Sequence, residues 1–427
     1  MAIDVEQKFA DNAERINWYH PYRSFELNNR REELFAGLNE KISWKFKNTK
    51  PVLNRISKGC ELCGQGEWSC LFVTGICNAN CFYCPAQQTK DETPQTQKLL
   101  FESPERYIDY INRFNFKGVS LSGGEPLMVF DRTLKFIRQV RLHCDPEIYI
   151  WMYTNGILVT DDKLEKLAAA GLNEIRFDIG AVNYHPRVLQ NAAKFIPNVT
   201  VEIPAVPHHK EQLLSVLPTL VEYGVTNLNL HQLRLTQYNA PKLLNQDYTY
   251  LHGEQPTVAE SEITALEIMQ FVVENDLDIG VNYCNFQFKN RFQKAGFRNK
   301  MATVLKEDNE EITQNGYLRK ITTGDNRVIS MKLLKETYQQ LQKITLTYEG
   351  RIIENIKKDE ASRTFQLNGV QYYLEEGQAT SPIVLDGELI LAFVKMMEQA
   401  GAEIPEHPLL FTIWQFEFIE NGLREFF

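Results

Sequence analysis

Between about residues 70 and 284 the chain alternates short strand-forming runs with helical segments of ten to fifteen residues. This alternation limits the possible folds more than any other feature. Strands are expected at 70–76, 118–122, 148–153, 174–179, 199–206, 227–233 and 279–284. Helices are expected at 104–114, 131–142, 161–170, around 188–195, and at 211–223 and 259–275. Leu134, Ile137 and Val140 recur near the helical period. Ser103 followed by Pro104 is a helix start. Such an order implies βαβ units around a parallel sheet. In parallel α/β barrels chemistry collects at the C-terminal ends of the strands.

Four groups fall at those ends: the run CNANCFYC, the tetrapeptide GGEP, residues 153–156, and Cys284. In the first, Cys77, Cys81 and Cys84 are spaced CxxxCxxC. Three thiolates that close in sequence suit one metal centre. A four-iron cluster takes four ligands, so three cysteines leave one iron open. Zinc sites more often use paired CxxC motifs and close all four positions. Six of the eight cysteines lie between Cys60 and Cys84. In a chain of 427 residues with a polar N-terminus this reads as metal binding, not a disulfide framework.

With GGEP at Gly123, Gly124, Glu125 and Pro126, the sequence resembles the radical S-adenosylmethionine (radical SAM) superfamily. The resemblance covers residues 58–290. It implies a partial (β/α)6-type parallel barrel of class α/β. It also implies a 4Fe-4S cluster on Cys77, Cys81 and Cys84, whose open iron binds S-adenosylmethionine. Reductive cleavage then gives a 5′-deoxyadenosyl radical that takes hydrogen from a substrate. The cofactor-binding expectations are the Tyr83 backbone against adenine and Gly123, Gly124 and Glu125 at the methionine amino group. Asn155 in the TNG segment lies beside the cofactor. Arg176 and Glu202 are further cofactor contacts, with ion pairing of Arg176 to Asp178 or Glu174 as the structural alternative.

A second set, Cys60, Cys63 and Cys70 in GCELCGQGEWSC, joins Cys284 far downstream. A CxxC pair plus two more thiolates suits a second iron–sulfur cluster, or less favourably zinc. The layout is similar to an activating-enzyme-like group within the superfamily. Cys70 sits in an apolar run, and buried packing is its alternative to a ligand role. Without Cys70 as a ligand, a four-iron cluster there keeps an open iron too. His231 is a further substrate-site candidate. Tyr283 reads as packing.

Residues 1–55 are expected to form an N-terminal extension, 56–300 the barrel, and 301–427 a smaller α+β domain. That last region has a hairpin signal at Asn368 and Gly369 and an amphipathic helix at 386–400. Lys and Arg number 46 against 55 Asp and Glu, a net charge of −9. That balance disfavours nucleic acid. No apolar run reaches the roughly 20 residues that span a bilayer, and a cytoplasmic location is expected. The expected partners are S-adenosylmethionine, an electron donor such as flavodoxin or ferredoxin, and a substrate. A peptide or protein substrate, by glycyl-radical activation or peptide modification, leads. Oxidation or rearrangement of a small metabolite, or a non-catalytic iron–sulfur electron carrier, is the alternative.

Overall fold

The computed structural model describes residues 9–306 except 39, 98, 253 and 254. It also describes 311–312, 316, 318–319, 346–348, 351–353, 364–367 and 370–373. The chain divides into two compact units, with the boundary between Lys294 and Ala295.

The strands of the first unit are β1 (Ile42–Lys45), β2 (Lys50–Leu53), β3 (Trp68–Phe72), β4 (Gln95–Thr96), β5 (Leu99–Leu100), β6 (Gly118–Ser122) and β7 (Tyr149–Thr154). They continue with β8 (Glu174–Phe177), β9 (Asn198–Pro204), β10 (Val225–His231), β11 (Tyr250–Leu251), β12 (Thr257–Val258) and β13 (Gly280–Cys284). All but β11 and β12 form one sheet, in the order β1-β2-β13-β10-β9-β8-β7-β6-β3-β4-β5. The run from β3 to β13 is parallel throughout. Antiparallel pairs flank it, β1–β2 at one edge and β4–β5 at the other. This is the parallel α/β architecture expected from the alternation, and it matches the partial barrel that the resemblance implies. Residues 42–53, read as part of an extension, complete one edge of the sheet because β2 pairs with β13.

Side chains alternate along these strands. Val119, Leu121, Ile150, Met152, Ile175, Phe177, Val201, Leu228, Leu230 and Val281 are essentially fully buried apolar groups. The residues between them include Cys70, Ser120, Glu174, Arg176, Thr200, Glu202, Asn229, His231, Asn282 and Cys284. Successive side chains on a strand point to opposite faces. Strands of a parallel sheet buried on both faces usually read as continuous apolar runs. One face here is therefore polar by composition.

The helix Lys58–Gln65 covers part of that polar face, since a Cβ on Gly59 would collide with the Arg176 guanidinium. Ser57 caps this helix, its hydroxyl accepting from the Cys60 N–H at 3.3 Å. Gly66 ends it in the left-handed region at φ 73°. Two local expectations change. The first strand ends at Phe72, because residues 73–76 leave it to bond the GGEP segment. The helix around 188–195 is two short 3-10 turns, Pro186–Leu189 and Ala192–Lys194.

In the second unit, strands Leu346–Tyr348, Arg351–Ile353, Thr364–Leu367 and Val370–Tyr373 form an antiparallel sheet. Leu367 and Val370, which flank Asn368–Gly369, pair with each other. The helix expected at 386–400 lies outside the described residues. Among the described residues, no helix is long and apolar enough to cross a membrane.

Candidate functional site

The cysteine loop leaves the C-terminal end of the sheet and is held largely by backbone. The Cys77 N–H bonds the Gln88 carbonyl at 3.3 Å, and the Cys84 N–H bonds the Cys81 carbonyl at 3.2 Å. The Asn239 amide donates to the Tyr83 carbonyl at 3.1 Å, and Lys242 Nζ donates to Asn80 Oδ1 at 2.6 Å. All three cysteines are free thiols and partly exposed. Two groups donate toward Cys77 Sγ: the Ala79 N–H at 3.4 Å and the Asn155 amide at 3.7 Å.

GGEP braces this loop. The Gly124 N–H bonds the Thr74 carbonyl at 2.8 Å, and the Glu125 N–H bonds the Ile76 carbonyl at 2.7 Å. Gly123 has φ +135°, and a Cβ there would strike the Thr74 carbonyl. A Cβ on Gly124 would strike the Ile76 carbonyl. The glycines are thus explained by close approach of the chain that leads into Cys77. Glu125, 1% exposed, accepts from the Leu127 N–H at 2.9 Å, the Thr154 hydroxyl at 2.9 Å and the Asn155 N–H at 2.7 Å. Its side chain fixes the TNG turn and is fully engaged within the protein. Burial raises its carboxyl pKa against these three donors. The Asn155 amide also donates to Asn78 Oδ1 at 2.7 Å, tying TNG to the metal loop. Tyr83 donates to Asp178 Oδ1 at 2.8 Å. Burial pushes that aspartic acid up to about 6, against the donors that favour its charged form.

The donor set suits a metal centre. Burial raises the Cys81 thiol to about 12, and Asp178, Cys84 and Cys77 push it the same way. Burial also raises Cys77 and Cys84. Three such thiols stay ionised together only beside added positive charge. Among the described residues, no three His, Cys, Asp or Glu side chains are close enough to hold a single ion. A four-iron core, which places each thiolate on a separate iron, asks for a wider spacing.

The second cysteine set lies on the polar face. Cys60 and Cys63 sit three apart on the helix Lys58–Gln65 and so share one side of it. Their thiols are raised by burial, and both feel Cys284. Cys284, at the end of β13, accepts from Lys50 Nζ at 2.5 Å. Cys63 accepts from the Gln293 amide at 2.9 Å. Cys70 stands apart: burial raises it to about 11, and its interactions are with Ser120, Glu202 and Arg176, with no other thiol.

Arg176 and Glu202 belong to this second region. Arg176, 2% exposed, pairs with Glu174 at 2.9 Å and Glu202 at 2.5 Å. It also donates to the Ser57 hydroxyl at 3.2 Å and reaches Cys60 Sγ at 3.7 Å. The Glu174 alternative for Arg176 is therefore the one observed, and its donors are engaged within the protein. Glu202 accepts from the Asn229 amide at 2.9 Å and faces His231 Nε2 at 2.7 Å. Burial opposes its ionisation, but Arg176 and His231 override burial and hold the carboxyl well below its usual range. His231 is pushed down to about 4 by burial and by Lys289, whose Nζ lies 2.9 Å from Nδ1. A neutral ring accepting from Lys289 at Nδ1 carries its proton on Nε2 and donates it to Glu202. The sequence reading missed Lys50 and Lys289. Only the polar alternation in strands such as VTNLNLH hinted at this lining.

Residues 71–232 match the model of the Radical SAM superfamily. With a three-cysteine loop at a strand end and GGEP bracing it, this segment is a radical SAM domain. Its relatives sort by how much of their length it shares. A Methanocaldococcus jannaschii protein, provisionally named a glycyl-radical enzyme activating enzyme, is 29% identical over 310 residues, 69% of this chain and 80% of that one. A GTP 3′,8-cyclase of Desulforamulus reducens is 28% identical over 111 residues, 26% of this chain but only 33% of the cyclase. Among solved structures, Streptococcus suis SuiB bound to S-adenosylmethionine aligns with 70% of this chain and 64% of its own, at 12% identity and a TM-score of 0.38.

Proposed function

We propose that this enzyme abstracts a hydrogen atom from a polypeptide, with glycyl-radical formation on a partner protein as the leading reaction. The observation that carries this reading is the extent of the likeness. It reaches 80% of a relative named as an activating enzyme, against 33% of a cyclase. When bound, a four-iron cluster with S-adenosylmethionine supplies the radical chemistry.

The chain's own residues position that chemistry. Cys77, Cys81 and Cys84 are the ligands. Gly123 and Gly124 hold the chain entering the loop, and Glu125 fixes Thr154 and Asn155. Asn155 orients Asn78 and faces Cys77. The Tyr83 backbone is the adenine contact, and its ring is locked by Asp178. Cys60, Cys63 and Cys284 hold a second iron–sulfur centre, whose surroundings Arg176 and Glu202 organise instead of touching the cofactor.

Anaerobic reconstitution should give about four to eight irons per chain. Dithionite and S-adenosylmethionine should then release 5′-deoxyadenosine. Mixed with a glycyl-radical enzyme from the same source, the protein should produce a glycine-centred EPR signal in step with that release. Release without any protein-centred radical, with label from a deuterated small metabolite entering 5′-deoxyadenosine, would overturn the polypeptide reading in favour of a metabolite substrate. An iron-replete protein that releases none is an electron carrier.

A further inference from the structure

We infer that Lys50 is the hydrogen-bonding charge partner of Cys284 in the second metal centre and sets the reduction potential of that centre. The inference rests on the proposed second centre and assigns one residue a role within it.

Lys50 is 0% exposed. An ammonium so placed needs a compensating anion, because stripping water from an unpaired charge is strongly unfavourable. The other fully buried cation of this face, Arg176, has carboxylate partners and is shared by Glu174 and Glu202. Among the described residues, no carboxylate pairs with Lys50. Its ammonium donates to Cys284 Sγ at 2.5 Å and lies 4.5 Å from the centre of the Phe288 ring.

Backbone pairing fixes this contact. β2 runs antiparallel to β13, with Leu53 opposite Val281 and Val52 opposite Asn282. Continuing that register by two residues sets Lys50 opposite Cys284. Sequence separates the pair by 234 positions, yet the sheet makes them cross-strand neighbours. Three thiolates on a four-iron core leave the centre anionic, which supplies the missing counter-charge. A buried cation donating to a ligand sulfur favours the reduced, more negative state and so raises the potential. Lys50 acts through Cys284 and is a positioning residue.

The test uses the full chain carrying Cys77→Ala, Cys81→Ala and Cys84→Ala, in which any remaining cluster is the second one. This parent should retain about four irons; background iron would reject the second centre itself. EPR-monitored redox titration should then show a midpoint shifted to more negative potential when Lys50→Met is added, at unchanged iron content. Lys50→Arg should recover most of the shift. If Lys50→Met does not fold, Lys50→Gln replaces it, with a smaller shift in the same direction. An iron-replete Lys50→Met or Lys50→Gln protein whose midpoint equals the parent's would overturn the role of Lys50 while leaving the second centre standing.

Discussion

The two cysteine sets solve the same problem in opposite ways. Cys77, Cys81 and Cys84 lie on a partly exposed loop, braced by backbone hydrogen bonds to GGEP and by Asn155. Their charged surroundings are dominated by one another and by Asp178. Cys60 and Cys284 are buried and Cys63 is half-buried, at a polar face beside Lys50 and Arg176. An open loop gives a small molecule access to a metal and leaves the metal to stabilise its own ligands. A buried, cation-lined set pre-arranges charge and admits little solvent. This contrast suits a reaction centre in the first region and a protected centre in the second.

The largest expected effect falls on the open loop. Replacing any one of Cys77, Cys81 or Cys84 by alanine should reduce 5′-deoxyadenosine release to background, measured by chromatography after reduction. Replacing Cys60 or Cys63 should lower iron content while leaving measurable release. Equal loss of release in both series would erase the distinction between the two regions.

Next comes the buried charge network. Arg176→Met should destabilise the protein by about 3–5 kcal/mol, because Glu174 and Glu202 lose a buried partner. Denaturant titration checks this. Glu125→Gln should cost about 1–3 kcal/mol, since an amide cannot accept from all three of its present donors in the same geometry. It should also lower 5′-deoxyadenosine release by shifting Asn155. A Glu125→Gln protein with normal release would show that the TNG turn does not support the metal loop.

Much of this was legible from sequence, for physical reasons that differ by element. The seven parallel strands were visible because each carries a short run of strand formers between helical segments. The metal loop was visible because cysteine spacing is a local property. GGEP was located by motif, but the reason for its glycines was not visible: they admit the carbonyls of Thr74 and Ile76, contacts made only after folding. The segment around 188–195 misled because its apolar spacing mimics a helix, while only short turns form at Pro186 and Ala192. Lys50 was invisible because nothing local distinguishes a buried lysine from an exposed one; its meaning comes from a strand pairing across 234 residues. Arg176 and Glu202 were found as polar residues on strands, yet their partners depend on which neighbours the sheet places beside them.

A smaller effect comes from pH. His231 has a folded pKa of about 4 against an ordinary value of 6.5. The unfolded chain therefore binds the proton more readily, and stability falls as pH drops from 6.5 towards 4. The side chain retains 25% exposure, so the loss is discounted to about 2 kcal/mol. His231→Gln should flatten the stability profile over that window in denaturant titrations at stepped pH. An unchanged slope would assign the acid sensitivity of the second region to other groups.

The smallest effect tests where the second region ends. Cys70 lies on the same polar face as Cys284, but its interactions are with Ser120, Glu202 and Arg176. No thiol acts on it, whereas Cys60, Cys63 and Cys284 act on one another. Cys70→Ala removes one buried sulfur, and about 1 kcal/mol of stability should be lost. Iron content should not change if Cys60, Cys63 and Cys284 alone hold the proposed second cluster. If Cys70→Ala instead loses as much iron as Cys63→Ala, the second centre has four protein ligands. It would then lack an open iron, and the contrast between an accessible and a closed centre would become sharper.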